Sequence, residues 1–307
     1  MIKFYIPDGH LEEKTLELFT RAGFEIVMSD RGYNPKIDDP EIVLKRIRPQ
    51  DFPFVISIGK GDLAITGSDI LTDFILGNPE RAKKIEKIMD LGFGKTRLIA
   101  AVSEDVLPNV DNINDFRKYA KNLKKSGKKV VIATEYYYIA KDYLKRNGID
   151  AIIDKPAGKT EAWIIPPVPE ADMIIETVET GKTLKENRCK IIGEVMEASS
   201  VLIANKDSLN DGEKRKKMDE IIELFNGALK GKGKVNVYMN VLNPDNLDNI
   251  LKILNRCVKN PTISDLKGEG YDIFIVIDEK ELKYILPELK RRGASSIAIS
   301  DTRMVID

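Results

Sequence analysis

The chain has 307 residues, enough for two or three domains with sizeable cores. Its 49 basic residues balance 49 acidic ones, which argues against a dominant nucleic-acid footprint, and no apolar run approaches the roughly 20 residues of a membrane span. One histidine, His10, and two distant cysteines, Cys189 and Cys257, argue against a zinc cluster and histidine-pair catalysis and suit buried structural thiols in a reducing cytoplasm. Chemistry here must rest on carboxylates, arginines, lysines and a bound ion.

Short apolar runs alternate with helical periods over the first two hundred residues, so the fold class is α/β. A strand over 3–6 opens the chain; its apolar stretch is too short for a signal peptide. A helix over 12–22, ended by Gly23, and a strand over 25–28 follow. A strand over 63–65 runs into Thr66-Gly67-Ser68, with Ser68 capping the next helix. Then come a strand over 97–103, a helix over 113–123, a strand over 130–134, a helix over 135–146 ended by Gly148, and a strand over 151–154. Strands over 190–195 and 200–204 precede a long amphipathic helix over 211–229. Residues 231–234, Gly-Lys-Gly-Lys, read as a linker. The rest reads as strand 235–241, helix 245–255, strands 262–266 and 272–277, helix 279–292 and strand 296–300, the βαββαβ ferredoxin-like motif.

Three stretches contain Gly-Lys-Thr: Gly94-Lys95-Thr96, Gly158-Lys159-Thr160 and Gly181-Lys182-Thr183. A nucleotide P-loop needs a glycine five positions before its final Gly-Lys, where this chain has Met89, Ile153 and Glu176. None is therefore a P-loop. Around the third, an apolar strand carries Glu176 and Glu179 and passes through Thr180 into a helix start. That order suits a sugar phosphate. Carboxylates accept hydrogen bonds from ribose hydroxyls, and backbone N–H groups with threonine hydroxyls at a helix start hold a 5′-phosphate. Gly181 lets the backbone approach without a Cβ. An ordinary strand–turn–helix junction with a threonine cap is the plain alternative.

The segment from Glu176 to Leu184 resembles the phosphoribosyl-pyrophosphate (PRPP) loop of phosphoribosyltransferases, and more narrowly that of the long form of ATP phosphoribosyltransferase. Collinear segments extend the resemblance over essentially the whole chain. Pro7-Asp8-Gly9-His10-Leu11 stands where the family has Pro-Lys-Gly-Arg-Leu. Arg48-Pro49-Gln50-Asp51-Phe52-Pro53 resembles its Arg-Pro-x-Asp-Ile-Pro, and Asp62-Leu63-Ala64-Ile65-Thr66-Gly67-Ser68-Asp69 its Asp-Leu-Gly-Ile-Thr-Gly-x-Asp. Leu91-Gly92-Phe93-Gly94 with Arg97-Leu98, Ala133-Thr134-Glu135-Tyr136, and Gly158 with Thr160-Glu161 also match. Asn260-Pro261-Thr262-Ile263-Ser264 and Arg292-Gly293-Ala294-Ser295 resemble the regulatory domain.

The resemblance implies a two-lobed, periplasmic-binding-protein-like catalytic core with a C-terminal ferredoxin-like, ACT-like domain. The expected first lobe is 1–102 plus about 205–232, the second lobe 103–204, and the regulatory domain 233–307. It implies transfer of the phosphoribosyl group of PRPP to N1 of the adenine of ATP, a Mg2+ ion held mainly by substrate phosphates, a homo-oligomer between dimer and hexamer, and feedback inhibition by histidine. It carries Arg31 and Arg48 as catalytic phosphate donors. Glu176, Glu179, Thr180, Gly181, Lys182, Thr183 and Leu184 would hold PRPP. Asp8, Gly9, His10, Thr66, Gly67, Arg97 and Glu161 would line the ATP and PRPP pocket, and Thr262 and Ser296 an effector pocket. Neither a nucleic acid nor a membrane is expected as partner, and the place of work is the cytoplasm.

Departures from the pattern weigh on this reading. Asp8 replaces a lysine expected to face phosphates, a change of two charge units for which Lys95, Lys159 or a magnesium ion on Asp8 would compensate. His10 replaces an arginine, Tyr137 a proline, and Glu176 an aspartate; Leu242 stands where an acid is expected for the effector. A catalytically impaired relative that binds nucleotide or PRPP as a regulatory protein is the competing hypothesis.

Overall fold

The computed structural model describes residues 1–29, 32–179 and 181–306. These divide into two compact units, 1–16 with 26–218 and 17–25 with 219–306. The chain runs through β1 (Ile2–Pro7), α1 (Glu12–Arg21), the short ribbon β2 (Ile26–Val27) and β3 (Lys36–Ile37), β4 (Ile42–Ile47), α2 (Phe52–Ser57), β5 (Leu63–Gly67), α3 (Ser68–Gly77), the single turn α4 (Pro79–Ala82) and β6 (Ile85–Asp90). Next come β7 (Thr96–Ser103), α5 (Ile113–Lys125), β8 (Val130–Ala133), α6 (Tyr137–Arg146), β9 (Ala151–Asp154), β10 (Met173–Val178), α7 (Lys182–Glu186) and β11 (Cys189–Ala198). The first unit closes with β12 (Ser200–Asn205), α8 (Lys206–Leu209) and the start of α9 (Gly212–Gly231).

Two five-stranded sheets organise this unit, in the two-lobed α/β arrangement expected. The first has the order β4-β1-β5-β12-β6, with β4, β1 and β5 parallel and β12 antiparallel to both neighbours. Every residue of β5 and β12 is buried, as strands covered on both faces require. Phe52 and Ile56 of α2 pack on Ala64, Val201 and Ile203. The second sheet has the order β11-β7-β10-β8-β9, with β10, β8 and β9 parallel and β7 antiparallel to β10 and β11. Phe116 of α5 and Tyr143 of α6 cover one face, and Ile164 and Leu184 the other.

Strand pairing moves two expected boundaries. β7 pairs in the second sheet, so the first lobe gives way before Thr96 rather than at 102; β12 pairs in the first, so the return falls before Ser200 rather than at 204. The helix start at α3 also differs. Gly67, not Ser68, is the cap, and the Ser68 hydroxyl accepts from the Ser199 N–H at 3.1 Å, tying the returning chain to α3. Asp62, 1% exposed, accepts from the Lys3 N–H at 2.8 Å, the Ser208 hydroxyl at 2.6 Å and the Lys214 ammonium at 2.8 Å. It fastens β5 to β1 and to the segment after β12.

The lobes also meet through side chains. Asp73 of α3 accepts from the N–H groups of Tyr138 (2.8 Å) and Ile139 (2.9 Å) and so caps α6, which has no side-chain cap of its own. The Tyr138 ring fills the space that a Cβ on Gly77 would need. Substituting Asp73 with alanine leaves those donors unsatisfied and is expected to cost about 1 kcal/mol, lowering Tm by roughly 2–4 °C. Thermal denaturation checks this; an unchanged Tm would mean that α6 is stable without the carboxylate.

The second unit carries β13 (Lys234–Val241), α10 (Leu247–Leu254), β14 (Thr262–Asp265), β15 (Tyr271–Asp278), α11 (Leu282–Arg291) and β16 (Ala294–Asp301), the βαββαβ order expected. Its antiparallel sheet has the order β14-β15-β13-β16. Ile250, Leu254, Ile285 and Leu289 of the two helices pack on Val237, Met239, Ile273 and Ile275. The expected linker is instead a tight turn, because α9 runs to Gly231 and β13 begins at Lys234, with Gly233 at φ 73°. Both cysteines are free thiols. Cys189 is buried, as expected, and burial pushes its thiol up to about 11; Cys257 is only half-buried, at the edge of the helix layer.

Candidate functional site

The parallel strands of each lobe end together, and open α/β sheets hold ligands outside those carboxyl ends. In the first lobe Pro7 and Ile47 are register partners, so Asp8 and Arg48 follow as neighbours, with the Asp8 N–H on the Ile47 carbonyl at 3.0 Å. Gly9 and His10 are exposed in the turn after Asp8. Gly67 ends the adjacent β5. Thr66 differs from expectation: it is fully buried and its hydroxyl donates to the Pro49 carbonyl at 3.1 Å, so it holds the Arg48–Pro49 turn instead of facing ligand. Arg31 lies outside the described residues.

Two adjoining cavities, of about 600 and 580 Å3, share Val178 and Glu179 at the end of β10 in the second lobe, and the larger also draws Ser68, Lys87 and Asp90 from the first lobe. The smaller gathers Glu176, Glu179, Gly181, Lys182, Thr183 and Glu161, residues that the sequence singles out from separate segments. Leu184 also lines it but is only 4% exposed, packed under the loop among Ile164 and Ile174, so it anchors the loop rather than offering a contact. Thr180 lies outside the described residues. Glu135, Lys159 and Thr160 complete the lining. The larger cavity contains Arg97, held opposite Val178 by the β7–β10 pairing, together with Lys95 and Thr96. All three Gly-Lys-Thr stretches thus contribute residues to the two cavities. Asp8, Gly9, His10, Arg48, Thr66 and Gly67 line neither. Lys87 and Asp90 do, at the larger one; sequence gives no signal for them, because β6 is an edge strand without an apolar–polar alternation.

Glu176 is mounted on a central strand, between β7 and β8. Its Oε1 accepts from the Thr177 N–H at 2.8 Å and the Thr177 hydroxyl at 3.1 Å, and the Thr160 hydroxyl donates to the same carboxylate. Burial pushes this carboxyl above the usual glutamate range; these hydrogen bonds offset part of the rise and the nearby Glu135 adds to it. Tyr136 donates from its hydroxyl to the buried Asp69 at 2.7 Å, across the lobes. Burial, then the Asp69 charge, push its phenol far up, so it stays a donor. Gly181 has φ 72° and ψ 8° and precedes α7. Having no side chain, it leaves the first N–H groups of that turn uncapped by its own atoms. Carboxylates in the middle, a glycine-started turn on one side and lysines around the rim can hold the hydroxyls and phosphates of a phosphorylated sugar.

The effector residues separate. Thr262 is on β14 and Ser296 on β16, the opposite edges of the four-stranded sheet and roughly 14 Å apart at ordinary strand spacing. Both are exposed.

Family models match in two parts: ATP phosphoribosyltransferase over residues 48–227 and the HisG C-terminal domain over 232–303. The chain is 40% identical over 255 residues to the ATP phosphoribosyltransferase of Archaeoglobus fulgidus, covering 83% of this chain and 88% of that protein. It is 37% identical over 303 residues to that of Solibacter usitatus, covering 97% and 96%. Among solved structures, the ATP phosphoribosyl transferase (HisG:HisZ) complex from Thermotoga maritima superposes with a TM-score of 0.56 at 21% identity, over 73% of this chain and 98% of that one.

Proposed function

The chain belongs to the ATP phosphoribosyltransferase family, and from that premise we propose how its own residues serve the reaction. The enzyme is a pentosyltransferase that transfers the phosphoribosyl group of PRPP to N1 of the adenine of ATP and releases pyrophosphate, the first step of histidine biosynthesis. One observation supports the residue assignment above the others: Glu176, Glu179 and the Gly181–Thr183 turn surround one cavity at the end of β10. Glu176 accepts the ribose hydroxyls, with Glu179 beside it. The N–H groups of the turn and the Thr183 hydroxyl hold the 5′-phosphate, with Thr180 and Lys182 assigned to the same task by resemblance. Arg31, Arg48 and Arg97 serve the remaining phosphates.

Adenine N1 already carries a lone pair, so bond formation needs no strong base. The demand is to orient two polyanions and to neutralise the leaving pyrophosphate. The donors fit a Mg2+ ion that arrives on substrate oxygens: four carboxylates ring the cavity, yet no three metal-binding side chains converge among the described residues. Glu161 is the carboxylate we assign to it. When bound, the ion supplies neutralisation of phosphate charge. Histidine inhibition is proposed through the second unit; since Thr262 and Ser296 sit on opposite sheet edges, a second copy would have to bring them together. Assembly into a homo-oligomer and work in the cytoplasm complete the reading; among the described residues no helix is long and apolar enough to cross a membrane.

The test is a Gly181→Val variant, assayed for turnover of ATP with PRPP and for binding of ribose 5-phosphate. Valine at φ 72° strains the turn and displaces its N–H groups, so ribose 5-phosphate affinity is expected to fall at least about tenfold. Unchanged affinity would remove the turn from the site.

A further inference from the structure

We propose that Lys159 is a further catalytic residue, whose ammonium binds the pyrophosphate of PRPP and stabilises it as the leaving group. The inference rests on the reading that the cavity around Glu176 takes PRPP. Lys159 sits at φ 45° and ψ 56°, in the left-handed region, where the chain carries a lysine although the backbone favours glycine. Strain of this kind gathers at ligand sites.

Charge singles out the same residue. Among the described residues two cations line the cavity, Lys159 and Lys182, against Glu135, Glu161, Glu176 and Glu179. Lys182 pairs with Glu186 at 3.7 Å, whereas Lys159 has no ion-pair partner among the described residues. A substrate with phosphates at both ends enters an acidic surround; with Lys182 assigned to the 5′-phosphate, Lys159 is the described lining cation left to meet the pyrophosphate beside the arginines. The lysine that the family pattern places at position 8 is an aspartate here, so this charge has to come from elsewhere.

The order of contacts decides which phosphate Lys159 meets. Thr160 of its turn bonds the Glu176 carboxylate on one side, and the strand of Glu176 leads toward Gly181 on the other. In PRPP the ribose hydroxyls lie between the pyrophosphate on C1 and the phosphate on C5. With the hydroxyls on Glu176 and the 5′-phosphate at Gly181, C1 and its pyrophosphate face the Lys159 turn. As adenine N1 gives its lone pair to C1, the C1–O bond breaks and its electron pair leaves on the pyrophosphate oxygen. The growing negative charge meets the ammonium, which keeps its proton; the adenine amino group loses one to solvent.

Full-length Lys159→Met, Lys159→Arg and Lys159→Gly variants test this through kcat and through binding of two probes, inorganic pyrophosphate with Mg2+ and ribose 5-phosphate. Methionine is expected to lower kcat about 10²-fold and to weaken pyrophosphate binding at least about tenfold, with ribose 5-phosphate within about twofold of wild type. Arginine should restore most of both. Glycine should lose activity like methionine while raising Tm by a few degrees, since the strained backbone relaxes, which separates the loss from misfolding. Unchanged kcat and pyrophosphate affinity in Lys159→Met would overturn the proposal, as would a loss confined to ribose 5-phosphate. If ribose 5-phosphate fails to compete with PRPP on the wild-type enzyme, the assignment of the cavity itself falls.

Discussion

A Glu176→Gln variant is expected to lose about 10²-fold in kcat/KM for PRPP while folding at least as well as wild type. Each hydrogen bond to a charged acceptor is worth about 1.5–3 kcal/mol, and the carboxylate is assigned both ribose hydroxyls. The stability side follows from linkage. Burial raises the folded-state pKa of Glu176, so its contribution favours the fold below the unfolded pKa and is lost as pH rises through the folded one. At neutral pH the ionised carboxylate is therefore a cost that glutamine removes. The wild-type profile of kcat/KM against pH should show an acid limb above the ordinary glutamate range, absent from the variant. Steady-state kinetics and thermal denaturation on the same samples decide it; wild-type kcat/KM in Glu176→Gln would detach this carboxylate from the ribose.

The second large effect is structural. Asp62→Ala removes the acceptor of three donors at once and leaves Lys214, 32% exposed in its side chain, without its carboxylate. Breaking such a pair from one side costs about 3–5 kcal/mol, a fall in Tm on the order of 10 °C. Burial alone would raise the Asp62 pKa, but the Lys214, Ser208 and Lys3 bonds outweigh it and leave the pKa lowered. The stabilisation is thus present above the unfolded aspartate pKa and lost as pH falls through the lowered folded value. The Tm gap between wild type and Asp62→Ala should therefore narrow as pH falls through that value. A Tm within a degree of wild type would contradict the role assigned to Asp62.

Local signals were legible and distant pairings were not. The apolar run of β10 and the glycine that starts α7 sit in one continuous segment, so the centre of the site could be read from residue types alone. The βαββαβ unit was legible for the same reason, each element having its own period. β6 escaped notice because only Ile85 of its six residues is buried, which leaves no alternation to detect. β7 and β12 are recognisable as strands, yet each is almost wholly buried, and such a strand carries no mark of the sheet it will join. Asp73 as a cap for α6 could not be foreseen, since cap patterns are local and this one comes from another helix. Thr262 and Ser296 match small-residue positions in sequence but end on opposite edges of a sheet.

The place of β12 between β5 and β6 also bears on how the polypeptide matures as it leaves the ribosome. The second sheet is contiguous, from Thr96 to Ala198, whereas the first stays incomplete until Asn205 has emerged. β6, made much earlier, lies at the sheet edge beside β12 and must wait for it. Domains usually form in the order of synthesis. Here the later-made half can close before the earlier one, and a chain stalled short of residue 200 would expose the bare flank of β5 to unwanted partners.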